Sequence, residues 1–129
     1  MQFDEFVEVV QGRALFNTAG AAVRAIGTVL EVLGTCLARD EMMRLSLQLP
    51  QEIRSFLLQP GKAEEFGLEE FLKRVSEKEG GGQADAGIHA RAVLSAIAES
   101  IPPVELRKVL IVLPDEIRGL FAPMRTVVS

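Results

Sequence analysis

The sequence predicts an all-α fold: a tandem repeat of two helical units, about four helices each, packed into one globular helical bundle. Three observations carry this reading. One phrase occurs twice, as Leu49, Pro50, Gln51, Glu52, Ile53, Arg54 and as Leu113, Pro114, Asp115, Glu116, Ile117, Arg118. Apolar residues recur around it at the 3.6-residue period of a helix. The chain is 48% hydrophobic with seven Phe and no Trp or Tyr, so Leu, Val, Ile and Ala must fill the core, and these residues suit helix packing.

The repeat extends well beyond the phrase. Residues 20–57 fall onto 84–121 at a displacement of 64, and Phe3, Phe6 and Val10 fall onto Leu68, Phe71 and Val75 at a displacement of 65. The one-residue difference lies in the first loop of each unit, where an insertion costs little. The units are expected at residues 1–58 and 67–122, joined by a linker at 59–66 and followed by a tail at 123–129. At 129 residues the whole makes one domain that needs neither disulfide nor metal to stand.

Each unit opens with a helix whose apolar face is Phe3, Phe6, Val7 and Val10, or Leu68, Phe71, Leu72 and Val75. Gly67 is placed to cap the second of these, Glu69 and Glu70 load its first turn, and Phe66 can staple onto Phe71. The second helix is the core helix, near 19–37 and 84–101. Its stripe is Ala22, Ile26, Val29, Leu30, Leu33 and Leu37 in one unit and Ala86, Ala90, Val93, Leu94, Ile97 and Ile101 in the other, one helix face throughout.

The third helix is expected from Asp40 to Gln48, with Asp40 as its cap, and from Pro103 to Val112, where Pro103 suits a first helical turn. The run Leu110, Ile111, Val112 leaves a strand open as an alternative there. Pro50 and Pro114 then turn the corner into a fourth helix, because proline disfavours helical backbone in the leucine before it yet fits the first position of a new helix. Ile53, Phe56 and Leu57 would point inward together, as would Ile117, Leu120 and Phe121. A single kinked helix is the near alternative. Pro123 ends the last helix, and Thr126, Val127 and Val128 follow it.

In this pattern the chain resembles the bacterial family called domain of unknown function 2267. The resemblance rests on Phe3, Phe6 and Val10, on Ala92, Val93 and Leu94 in the core helix, on Gln48 to Arg54 at the corner, and on Phe66 to Val75. Gly67 replaces a serine-like cap and Val112 replaces a glutamine. The resemblance implies an all-helical fold of two such units and supplies no reaction, ligand or site residue.

Composition bounds the function further. A net charge of −4 and a pI near 5.1 speak against general affinity for nucleic acid. One cysteine makes no internal disulfide and fits a reducing cytosol. Asp4, Glu5 and Glu8 stand where a signal peptide carries positive charge, and no apolar run approaches the ~18 residues of a membrane span. The expectation is a bacterial, cytoplasmic protein with no membrane contact and no cofactor.

Candidates for chemistry are few. A nucleophilic pair would need Cys36 and His89 adjacent, and Cys36 at a helix C-terminus lacks the dipole that stabilises a thiolate. One Cys and one His do not make a zinc site. The paired glutamates at 64–65, 69–70 and the pair Glu77 and Glu79 read as solvated helix faces. Gly80, Gly81 and Gly82 lack the strand and the Lys–Ser/Thr pair of a phosphate loop and read as a connector.

Arg39, Arg44, Arg54, Arg107, Lys108 and Arg118 gather around the third helix and the corner, so a helix-turn-helix-like regulator of nucleic acid is the alternative reading. Interleaved acids make that region near neutral and favour ion pairs within the protein. A small apolar ligand between the halves, in a pocket lined by Met42, Met43 and the second helix, is a third reading. The leading reading is a non-enzymatic helical interaction or structural module that self-associates. Val23, Val32 and Cys36 make the first core helix apolar nearly all round, and they are the candidate interaction surface, for a protein partner or a second copy.

Overall fold

The computed structural model describes residues 1–124. Among these, eight α-helices and two short 3-10 turns make up the regular structure, and no strand occurs. Thr126, Val127 and Val128 lie outside the described residues.

α1 (Phe3–Ala14) buries Phe6, Val7 and Val10 and carries Asp4 and Glu5 in its first turn. α2 (Ala19–Thr35) is capped by Thr18, whose hydroxyl accepts the Ala21 N–H at 3.1 Å. α3 (Arg39–Ser46) begins after Ala38, so Asp40 sits in the first turn beside the dipole instead of capping the helix. The corner is a break between two helices, not a kink in one. A turn follows α3, Pro50 is extended (φ −53°, ψ 139°), and a 3-10 turn at Gln51–Ile53 runs into α4 (Arg54–Leu57).

The C-terminal half also has four helices, with its 3-10 turn after the last of them rather than before it. α5 (Leu68–Glu79) starts after Gly67, and α6 (Gln83–Ser100) starts after Gly82. α7 (Pro103–Leu110) takes Pro103 in its first turn, where its missing N–H leaves no orphan donor. Ile111 and Val112 form a turn, which excludes the strand. Pro114 (φ −59°, ψ 148°) precedes α8 (Asp115–Arg118), and Gly119–Phe121 close it as a 3-10 turn. Both prolines stand one residue ahead of the turn they start.

Packing converges on α2 and α6. α1 and α5 each lie across both of these helices, α4 folds back on α2, the terminal 3-10 turn folds back on α6, and α3 meets α7. The interior holds Ile26, Leu30, Leu33, Leu94 and Ile97 with no exposed area. Removing any one such side chain costs about 2–5 kcal/mol. Gly34 has a specific reason to be glycine: a Cβ there would overlap the Leu57 carbonyl, so bare backbone lets α4 press directly on α2.

The linker is anchored near its C-terminal end. The Glu64 N–H donates to the Thr35 carbonyl at 2.8 Å, and the Arg74 guanidinium, lying 4.0 Å over the Phe66 ring, bridges Glu64 and Glu70. Its hydrogen bond, backed by its charge, holds the Glu64 carboxyl below the ordinary 4.5. Across the two halves, Arg13 of α1 clasps both carboxylate oxygens of Glu99 on α6 at 2.7 and 2.6 Å and donates to Ser95 Oγ at 3.0 Å.

Candidate functional site

Two surface features stand out. The first is a groove of about 510 Å³ between the N-terminal part of α2, the end of α5 and the start of α6. Phe16, Val23 and Phe56 supply its apolar surface. Phe56, expected to point fully inward, is only half-buried because it turns onto this groove, over the space left by Gly27, where a Cβ would stand 3.1 Å from its ring.

Charged side chains ring the groove. Lys78 Nζ lies 3.1 Å from Glu31 Oε2, which ties α5 to α2. His89 Nδ1 lies 2.8 Å from Glu79 Oε2, and its ring packs 4.6 Å from that of Phe16. Arg24 and Asp85 also line the groove, and among the described residues neither forms an ion pair.

The second feature is the outward face of α3 and α7. Just past the ends of these helices Leu47 is 66% exposed and Ile111 72% exposed, and Met43 of α3, Val104 of α7 and Val112 are also open to solvent. Of the six basic residues, Arg54 turns back to the Leu49 carbonyl and Arg118 to the Leu110 carbonyl, closing their corners. Lys108 pairs with Glu105 at 3.3 Å. Arg39, Arg44 and Arg107 remain exposed, with Asp40 among them.

The surface expected at Val23, Val32 and Cys36 does not form. Val32 is 1% exposed, because α5 lies over that side of α2. Val23 is half-buried on the groove, and Cys36 is half-buried at the end of α2, near Phe66 and the second corner. Burial pushes the Cys36 thiol up to about 11, and it lines a different hollow from His89, so the two do not form a nucleophilic pair. The Met42 and Met43 hollow is bounded by Arg39, Leu58, Gln59 and Pro60, with no residue of α2. Met42 is itself buried, and its sulfur accepts the Gln59 N–H.

The family described as "Uncharacterized conserved protein (DUF2267)" matches residues 3–120. The chain belongs to this DUF2267 family. No curated protein matches it. The DUF2267 match spans the groove from Phe16 to His89, both Leu-Pro corners, and the whole α3–α7 face. Both features therefore lie within the matched residues. No helix among the described residues is long and apolar enough to cross a membrane.

Sequence reasoning missed the groove. Glu79 and His89 are separated by the glycine turn, and Phe16 sits in the α1–α2 loop, outside any apolar stripe. The one available signal was that Phe16 and Phe56 are aromatic in a chain poor in aromatics.

Proposed function

We propose that this DUF2267 protein is a non-enzymatic tandem-repeat module that self-associates through the outward face of α3 and α7. One observation carries the reading: Leu47 and Ile111, at equivalent places under the 64-residue displacement, are both largely exposed at the C-terminal ends of helices that touch each other. Large apolar side chains left open together commonly mark a partner surface.

A second copy is the occupant that suits the face best. A twofold contact needs a patch complementary to itself, and a patch built from two equivalent positions already has that approximate symmetry. Its fringe mixes signs, with Arg44 and Arg107 near Asp40 and Glu105, so a rotated copy can meet it without like-charge repulsion.

Sedimentation equilibrium tests the reading. The unaltered chain is expected to associate with rising concentration, and the double variant Leu47→Glu, Ile111→Glu is expected to remain a folded monomer. A strictly monomeric unaltered chain at millimolar concentration overturns it, as does association that survives the double variant.

A further inference from the structure

We propose that the groove between α2, α5 and α6 binds a zwitterionic amphiphile: a free α-amino acid with a large apolar side chain. This site is separate from the α3–α7 face and does not depend on self-association.

Charge accounting leads to the ligand class. Glu31 is paired with Lys78, and Glu79 is hydrogen-bonded to the His89 ring, so those four side chains already have partners within the wall. Arg24 and Asp85 are left, one cation and one anion lining the same groove with no ion pair among the described residues. The remaining surface is apolar, from Phe16, Val23 and Phe56.

Each simpler ligand leaves something unmet. A plain carboxylate would pair with Arg24 and bring a second negative charge beside Asp85. A plain amine would pair with Asp85 and repel Arg24. A neutral hydrocarbon would cover Phe16 and Phe56 while desolvating both charges without compensation. A zwitterion offers a carboxylate to Arg24 and an ammonium to Asp85, both as charge-assisted hydrogen bonds. The space, about 510 Å³, falls in the range of small-molecule sites and admits a large side chain beyond the two charged groups.

The test titrates the full chain with L-phenylalanine, following the amide signals of Gly27, Thr28, Gly81 and His89 by two-dimensional NMR. Saturable shifts of these signals are expected. N-acetyl-L-phenylalanine, which lacks the ammonium, and L-phenylalanine methyl ester, which lacks the carboxylate, are each expected to bind about tenfold more weakly or worse. Arg24→Gln and Asp85→Asn, both at exposed positions, are expected to fold normally and weaken L-phenylalanine by a similar factor. The proposal is overturned by any of three results: no saturable shift with L-phenylalanine or L-leucine, equal binding of the ester or the acetylated form, or unchanged binding in both variants.

Discussion

Leu15 and Gly80 hold the same left-handed backbone at the ends of helices of equal length. Leu15 has φ 56° and ψ 40° after α1, and Gly80 has φ 75° and ψ 19° after α5. Each N–H closes the last turn, to the Gln11 carbonyl in one case and to Ser76 in the other. Glycine takes this conformation freely, whereas leucine is strained in it by roughly 1–2 kcal/mol.

Leu15→Gly is therefore expected to stabilise the protein. Leu15 is 82% exposed, so little apolar burial is lost. After the extra entropy of glycine in the unfolded chain, the net gain is roughly 0.5–1 kcal/mol, read as a higher urea midpoint. Gly80→Ala, at positive φ, should lose about 1 kcal/mol. A lower midpoint for Leu15→Gly would mean that the leucine holds the loop by contacts other than those described.

Arg13→Ala should cost about 2 kcal/mol. The Arg13 side chain is nearly enclosed between α1 and α6, and its truncation removes the clasp on Glu99, the bond to Ser95 and the packing of its own stem. Glu99→Gln should cost less, since that carboxylate stays in contact with water. Thermal unfolding of the two variants separates the contributions, and an Arg13→Ala protein as stable as the parent would show the clasp to be idle.

Burial of Cys36 has a pH signature. With the thiol near 11 instead of its ordinary 9.0, thiolate at pH 8 is about a hundredfold scarcer than in the unfolded chain, and iodoacetamide should alkylate the native protein more slowly by that order. The folded state keeps a proton that the unfolded chain releases above pH 9, so this contribution to stability is intact below pH 9 and declines as pH rises toward 11. Alkylation at the unfolded rate without denaturant would contradict the burial.

The prolines at the corners are structural. Pro50 and Pro114 are both extended ahead of short helices, so Pro50→Ala or Pro114→Ala should lower stability by roughly 0.5–1 kcal/mol through unfolded-chain entropy alone. A variant with an unchanged melting temperature and lost self-association would place the corner in the contact surface.

Glycines inside α2 and α6 should behave oppositely. Gly34→Ala drives a methyl into the Leu57 carbonyl and is expected to cost about 3 kcal/mol or more. At Gly87 the nearest atom to an added Cβ is Leu72 Cδ1 at 4.0 Å, so Gly87→Ala should gain roughly 0.5–1 kcal/mol from helix propensity. Chemical denaturation of both variants checks the pair.

Local chemistry was readable in advance where it decides local structure. Both core-helix stripes, the Gly67 start, Pro103 and the breaks at Pro50 and Pro114 each follow from a residue's own backbone preference or from a single period. Where two distant segments decide the outcome, the sequence was silent. Val32 looks like a surplus apolar residue until α5 is laid over it. Arg13 and Glu99 stand on helices whose meeting no periodicity announces. Asp40 resembles a cap, but the helix starts one residue before it, and the dipole is served equally well from the first turn. The groove was hidden for the same reason, since its lining comes from several separate stretches.

Gly34 also bears on how the two halves can be exchanged. Under the 64-residue displacement its counterpart is Ala98, half-buried on α6. A chimera that writes residues 84–121 over 20–57 installs a methyl in the path of a main-chain carbonyl, while the reverse replacement brings the larger side chains of Ile26 and Val32 to the fully buried positions of Ala90 and Ala96. Each half thus carries close contacts tuned to its own side chains, and a segment copied from one stretch onto the other meets a steric obstacle in either direction.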